Sequence, residues 1–271
     1  MTESESLTRE VRAVLEGFWA GVDLTPEQRA RWEFTSRRYG PVVNFLKASP
    51  PTSDTRVLDL GGGLGALSAV LHARFGGHYD LADMVPPSAG TESHYAKHGI
   101  EAFRPVRLDQ ASSLDDLPRN YDLVLFVEVL EHLLVDPLLL FRGIYDRLGP
   151  HGRLFLTTPN MARLGNRWKL LRGRSIKERG RFPQDGSAGY GHVIEYTLDE
   201  LDYLLGWESL VRERAQIVQY IPNANPSRLQ RMGVPWLNTR LAGRLRLGDD
   251  ILAIYRPVPR PPPGTPRPAR I

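Results

Sequence analysis

The sequence predicts an α/β fold: a doubly wound, mostly parallel sheet behind a run of N-terminal helices. Three observations predict it. The short apolar run Val57-Leu58-Asp59-Leu60 stops in Gly61-Gly62-Gly63-Leu64-Gly65, and an apolar-periodic helix (Leu64, Leu67, Leu71, Phe75) follows at once. Similar apolar runs recur at 79–82, 106–108, 121–127 and 154–158, each separated from the next by helical or turn-rich sequence. At 271 residues the chain can bury one large core, and the strand–helix alternation argues for a single domain with decorations.

The elements follow in order. Leu7, Val11, Val14, Leu15 and Phe18 recur on one face of a first helix. Thr25 as N-cap, Pro26 at the first position and Gln28 two later form a capping box for a second. Gly40-Pro41 is expected to break it, leaving a short segment with Val42, Val43, Phe45 and Leu46 and a linker from Ser49 to Ser53. Tyr79 to Ala82 is the second strand, ending in Asp83; Val106-Arg107-Leu108 is the third; Tyr121 to Val127, almost continuously apolar, is the fourth. Asp136 caps a helix with Pro137 at its first position and Leu138, Phe141, Tyr145 and Leu148 as its buried stripe. Gly149-Pro150-His151-Gly152 then turns into a fifth strand, Leu154 to Thr158. Thr197 and Glu200 form another capping box, a sixth strand lies within 210–220, and 251–255 is the last.

Composition removes several functions. There is no cysteine, so disulfides, thiol nucleophiles and thiolate metal sites are excluded. No stretch reaches the roughly 18 apolar residues of a membrane span, and the polar start MTESESLTRE is not a secretory signal, so a cytoplasmic protein without membrane partners is expected. A net charge of +4 is too small to claim nucleic acid by itself. The final stretch, 257–271, alternates proline with arginine and is expected to be disordered or polyproline-like; Pro259 to Pro262 fits PxxP, against the plainer reading of a solvated tail. His72, His78, His94, His98 and His151 fall on surface helices, strand starts or turns and are read as solvated.

The glycine turn carries the chemistry. Its backbone must reach φ > 0 and admit a ligand closely, and the following helix points N–H groups at whatever lies above. Gly61, Gly63 and Ala66 satisfy the dinucleotide pattern G-x-G-x-x-G/A. Asp59, Gly61, Gly63 and Gly65 equally satisfy [DE]-x-G-x-G-x-G. An acid beneath the turn repels a pyrophosphate but suits a cationic ligand, and Asp59 favours the second pattern. With the ordered strands over residues 55–256, this motif resembles the first motif of class I S-adenosylmethionine (SAM) methyltransferases. The resemblance implies a Rossmann-like sheet with an antiparallel last strand. It implies a methyltransferase domain over 54–256, interrupted by insertions at about 160–191 and 221–247, under an N-terminal helical lid (1–53). It further implies Asp83 on the ribose hydroxyls, Asp109 and Gln110 at the adenine and Glu128 beside the cofactor. An NAD(P)-linked oxidoreductase on a similar sheet and a catalytically silent SAM-binding scaffold are the alternatives.

Glu128, Glu131 and His132 are spaced i, i+3 and i+4, which places all three on one face of a helical turn after the fourth strand. His132 is the general-base candidate, with Glu131 and Glu128 its catalytic companions. Glu128-x-x-Glu131-His132 with a distant His192 resembles the metal-binding set of small-RNA 2′-O-methyltransferases, and ubiquinone-biosynthesis O-methyltransferases carry a similar turn. That resemblance implies Mg²⁺ or Mn²⁺ on Glu128, Glu131, His132 and His192. The plainer alternative is that the two glutamates only hydrogen-bond nearby groups. Both insertions are basic: Arg163, Arg167, Lys169, Arg172, Arg174, Lys177, Arg179 and Arg181 in the first, beside Glu178 and Asp185, and Arg228, Arg231, Arg240, Arg244 and Arg246 in the second. Gly186, Gly189 and Gly191 would let the first close on substrate. A small-molecule acceptor is expected, anionic if these charges face it, with nucleic acid the extreme case; a solvated face is the bland alternative.

Overall fold

The computed structural model describes residues 3–22, 24–84, 91–176, 192–218 and 246–262. Its elements are α1 (Glu3–Ala20), α2 (Pro26–Ser36), α3 (Tyr39–Leu46), β1 (Arg56–Leu60), α4 (Ala66–Phe75), β2 (His78–Asp83), α5 (Glu92–Lys97), β3 (Ile100–Pro105), β4 (Tyr121–Val127), α6 (Pro137–Arg147), β5 (Leu148–Pro159), α7 (Leu164–Leu171), α8 (Leu198–Trp207), β6 (Leu210–Val218) and β7 (Asp250–Pro257). The strands form one seven-stranded sheet in the order β3-β2-β1-β4-β5-β7-β6. β1 lies parallel between β2 and β4, β2 lies parallel to β3, and β7 runs antiparallel to β6. This is the doubly wound sheet with a reversed last strand that the sequence predicts.

Chain contacts divide the molecule into two compact units, Met1–Phe126 with Asp146–Leu154, and Val127–Tyr145 with Phe155–Ile271. In the first, β1 and β2 fill the core with Val57, Leu58, Leu60, Tyr79 and Leu81. α1 packs on α3 and α4 through the predicted stripe, with Phe18 and Trp19 at its buried end. Residues 1–53 therefore share a unit with the glycine turn. The buried Arg147 guanidinium donates to the carbonyls of Asp115 and Leu117 at 2.8 and 2.7 Å and holds that loop. In the second unit α8 packs on β6, its start fixed by the Thr197–Glu200 capping box. The Asp136 carboxylate accepts from the Leu138 N–H at the head of α6.

Several expectations need correction. The third strand is Ile100–Pro105, whereas Val106 and Leu108 are buried loop residues. β3 is an outer strand, so its sequence is mixed rather than apolar, and the ladder to β2 ends as Asp83 faces Pro105. Gly40-Pro41 opens α3 instead of breaking a helix; within the first turn a proline gives up no helical hydrogen bond. Gly149 to Gly152 belong to β5 rather than to a turn. Only glycine fits at 152, since a Cβ there would lie 2.5 Å from the Tyr121 carbonyl oxygen. His72, His94 and His98 are only partly exposed: His94 and His98 pack on Phe18 with centroids 4.9 and 5.1 Å away, and His72 Nδ1 lies 3.0 Å from the Gly77 carbonyl. The tail starts ordered: the Val258 N–H donates to Ser209, Tyr145 Oη donates to Val258, and Arg260 stacks 4.2 Å above the Tyr145 ring. Residues 263–271 lie outside the described residues, as does the Gln28 side chain of the capping box expected for α2.

Candidate active site

β1 ends at Leu60 and the backbone turns through Gly61, Gly63 and Gly65 at φ of 76°, 60° and 82°. The Gly61 N–H donates to the Ala82 carbonyl at 2.7 Å, and the Gly63 N–H to Asp83 Oδ2 at 2.8 Å, so the end of β2 clamps the turn. Gly65 is the N-cap of α4 and offers no side chain to its first N–H groups. Gly62 is as constrained as its neighbours: a Cβ there would lie 2.5 Å from both Asp59 Cγ and Leu81 Cδ1. Asp59 is buried beneath this turn and accepts from Ser68 Oγ at 2.6 Å. Burial, with Asp83 nearby, raises its pKa to about 6 despite the Ser68 hydrogen bond.

A second polar group follows β4. Glu128 takes φ 56°, a left-handed backbone that costs a non-glycine residue on the order of 1–3 kcal/mol and gathers at functional sites. Its N–H donates to the Thr157 carbonyl, and its Oε1 accepts from Thr157 Oγ1 at 2.8 Å. Leu130–His132 forms a single 3₁₀ turn. The expected helical face shared by Glu128, Glu131 and His132 therefore does not exist, because the chain leaves helical geometry at Glu128. Instead Glu131, His132 and His192 converge, with one potential ligand atom from each all within 4.8 Å of one another. Glu128 lies outside that trio.

Glu131 is fully buried at 0% exposure, its Oε2 accepting from Thr158 Oγ1 at 3.1 Å and its Oε1 lying 3.9 Å from His132 Nε2. His132 and His192 are 28% and 22% exposed, open enough to meet a ligand. Their rings meet edge to face at 5.2 Å. The segment bearing His192 is stapled on both sides: the Val193 N–H donates to the Glu131 carbonyl at 2.7 Å, and Tyr196 bridges Asn160 at the end of β5.

Sequence comparison decides what these parts belong to. A family described as a methyltransferase domain matches residues 31–221, well over half the chain. The chain belongs to this methyltransferase family. Ubiquinone biosynthesis O-methyltransferases are among its relatives: that of Xylella fastidiosa (strain 9a5c) is 32% identical over 123 residues, 44% of this chain and 47% of that protein. That of Pseudomonas aeruginosa (strain UCBPP-PA14) is 30% identical over 120 residues, 44% and 50%. The chain thus spans about half the length of the curated relatives it matches. Among solved structures, a chain of the Haloferax volcanii complex between the Trm112 methyltransferase activator and a methyltransferase superposes with TM-score 0.56 at 16% identity, covering 84% of this chain and 95% of that one. A SAM-dependent methyltransferase from Mesorhizobium loti gives 0.50 at 17%, covering 81% and 97%. At such identities these two speak for the fold, which is that of class I SAM-dependent methyltransferases.

The methyltransferase's glycine turn suits the family's cofactor. Asp59 places a buried carboxylate beneath the turn, Asp83 brings another to the end of β2, and the uncapped start of α4 adds N–H groups. An acid here would repel a dinucleotide's pyrophosphate, and the oxidoreductase alternative falls with the family. Asp109 sits after β3 in the same unit, gripped by the Arg107 guanidinium at 2.7 and 3.1 Å, and Gln110 is exposed beside it. Asp80, the other carboxylate of β2, accepts from Tyr121 Oη at 2.6 Å and lies 3.4 Å from the Arg104 guanidinium.

The basic insertions look different once their partners are visible. Arg163 forms a forked ion pair with Glu195 at 2.6 and 3.0 Å, and Arg246 meets Asp199 at 2.6 Å. Both acids come from beyond the insertions. On α7 and just after it, Arg172 stacks 4.4 Å over exposed Trp168, with Lys169 and Arg174 nearby in sequence. Lys177, Arg179, Arg181, Gly186, Gly189, Gly191, Arg228, Arg231, Arg240 and Arg244 lie outside the described residues. Sequence reasoning missed Gly62, Thr157, Thr158 and Glu195; only Glu195 left a signal, an acid three residues after a candidate histidine.

Proposed function

We propose that the chain methylates a hydroxyl oxygen of a small-molecule acceptor, using SAM held by Asp59, Gly61, Gly63, Gly65 and Asp83. The convergence of Glu131, His132 and His192 carries this reading. Bound at the glycine turn, the cofactor would supply a methyl group on a positively charged sulfur. The protein's own work is to orient the acceptor and take its proton, and a pair of half-exposed imidazoles backed by a buried carboxylate suits that work. The names of the ubiquinone-related relatives support oxygen as the target atom.

A second reading adds a divalent ion to the same group. One carboxylate and two imidazoles with ligand atoms within 4.8 Å are a donor set suited to Mn²⁺ or a similar ion, which would lower the acceptor hydroxyl's pKa. Mg²⁺, which prefers oxygen donors, suits it less. Glu128 is not part of that set. The small-RNA comparison rests on the same four positions and weakens with it. An anionic acceptor remains part of the proposal, supported by Lys169, Arg172 and Arg174, while Arg163 and Arg246 are already neutralised.

The test is a SAM-turnover screen over phenols, catechols, sugars and RNA 3′ ends, with and without Mn²⁺, Mg²⁺ and a chelator. His132→Ala is expected to cut turnover by about two to four orders of magnitude with SAM affinity nearly intact. Turnover confined to amines or thiols and unmoved by His132→Ala would overturn the reading. Indifference to chelation and metal would remove the ion alone.

A further inference from the structure

The His192 ring that meets Glu131 and His132 has a carboxylate partner of its own. Its Nδ1 lies 3.1 Å from Glu195 Oε1. Glu195 is itself fixed from three directions. Arg163 grips both its oxygens, Oε2 from Nη1 at 2.6 Å and Oε1 from Nη2 at 3.0 Å. Asn166 Nδ2 donates to Oε2 at 3.3 Å and to the Met161 carbonyl at 2.8 Å. Arg163 in turn donates to the Asn160 carbonyl, and the Asn160 side chain is locked by the carbonyls of Arg246 and Gly248. The chain Asn160–Arg163–Glu195–His192 therefore runs from the end of β5 to the imidazole, through side chains that are buried or nearly so.

Elementary hydrogen-bond chemistry fixes what this does to His192. A carboxylate held by Arg163 and Asn166 can only accept, so the ring nitrogen facing it must carry the proton. That leaves the lone pair on Nε2. We propose that Glu195 is a positioning residue, which holds His192 as the Nδ1–H tautomer and so keeps its Nε2 ready to take the acceptor's proton. The proposal rests on the proton-removing role assigned above to this group, and it names a residue that role does not require. The i, i+3 spacing of His192 and Glu195 puts both on one short segment. Arg163 reaches it from 32 positions away, so tautomer and ring angle are set jointly by two parts of the chain.

The tautomer can be read without an acceptor. Imidazole nitrogen spectra of isotopically labelled full-length protein at about pH 8, where neutral rings prevail, assign His192 by comparison with His192→Gln. The wild type is expected to show the Nδ1–H form. Glu195→Gln, whose amide donates as well as accepts, is expected to shift His192 toward the Nε2–H form, and Glu195→Asp to retain the native one. With any acceptor found in the screen, Glu195→Gln should lower kcat about 10- to 100-fold with the KM for SAM little changed, and Glu195→Asp should restore part of it. An Nε2–H ring in the wild type, or a tautomer indifferent to Glu195→Gln, overturns the proposal. So does a shifted tautomer with kcat intact. Should Glu195→Gln fail to fold, Arg163→Lys, which keeps the charge but loses the fork, must loosen the same tautomer. If the protein binds no SAM, the functional reading fails, while the tautomer result still judges the role of Glu195.

Discussion

Asp59 and Glu195 show how one residue type acquires opposite behaviour from its surroundings. Burial lifts the Asp59 pKa from 3.8 to about 6, so the folded state holds its proton more tightly than the unfolded chain. As pH rises from about 4 to 6 that preference is lost, and Asp59 then subtracts from stability. Glu195 is the reverse. Burial pushes it upward, yet the hydrogen bonds from His192 and Arg163 and the Arg163 charge win and take it from 4.5 down to about 2. Its contribution is present above pH about 4.5 and disappears as pH falls toward 2. Urea unfolding at several pH values should show Asp59→Asn gaining on wild type between pH about 4 and 7. Glu195→Gln should lose most against wild type near neutrality and least in acid. A difference flat with pH would refute either assignment. At Asp83, replacement by Ala should weaken SAM binding by about 1–3 kcal/mol, since both the proposed ribose contact and the Gly63 tether go. Calorimetry showing unchanged affinity would place SAM elsewhere.

At the scale of elements, α1 is held in part by groups that titrate. Phe18 at its buried end meets His94 on α5 and His98 just after it. Desolvation lowers both histidine pKa values; Lys97 adds to this for His94, and His94, His72 and Lys97 do so for His98. Both rings are thus held neutral, and the stabilisation is complete above the ordinary histidine value of 6.5 and declines as pH falls below it. Hydrogen exchange should therefore show the amides of α1 losing protection at pH about 5.5 relative to about 7.5, ahead of those in β1 and β4. Equal protection at both values would mean the histidines do not hold the helix. Phe18→Ala should cost about 3–5 kcal/mol, measured by denaturant unfolding. These histidines also mark where reading the sequence fell short. A histidine on a polar-looking helix is legible as partly covered only once α1 is known to cross it.

Across the whole molecule, what could be read from the sequence is what local physics dictates. β1 and β4 announce themselves because both faces are buried, and the glycine turn because its dihedrals exclude other residues. β3 did not, since an outer strand carries a mixed sequence, and Glu128 did not, because nothing in EVLEH predicts a left-handed backbone. At Arg163 and Arg246 the charge of the basic insertions was only half legible for a related reason: a segment's charge says nothing of the acids that other segments bring to it, as Glu195 and Asp199 do. SAM at about 100 times its dissociation constant should raise the unfolding free energy by about 2.7 kcal/mol, seen as a thermal shift that NADH does not reproduce. One further consequence concerns crowding rather than catalysis. Among the described strands β6 lies at an end of the sheet, where another chain can add itself. Arg212, Glu213 and Arg214 occupy its middle, and the register slips between Arg212 and Arg214. An incoming strand would meet alternating charge and a kinked ladder, so the same edge that ends the fold also discourages it from growing into an aggregate.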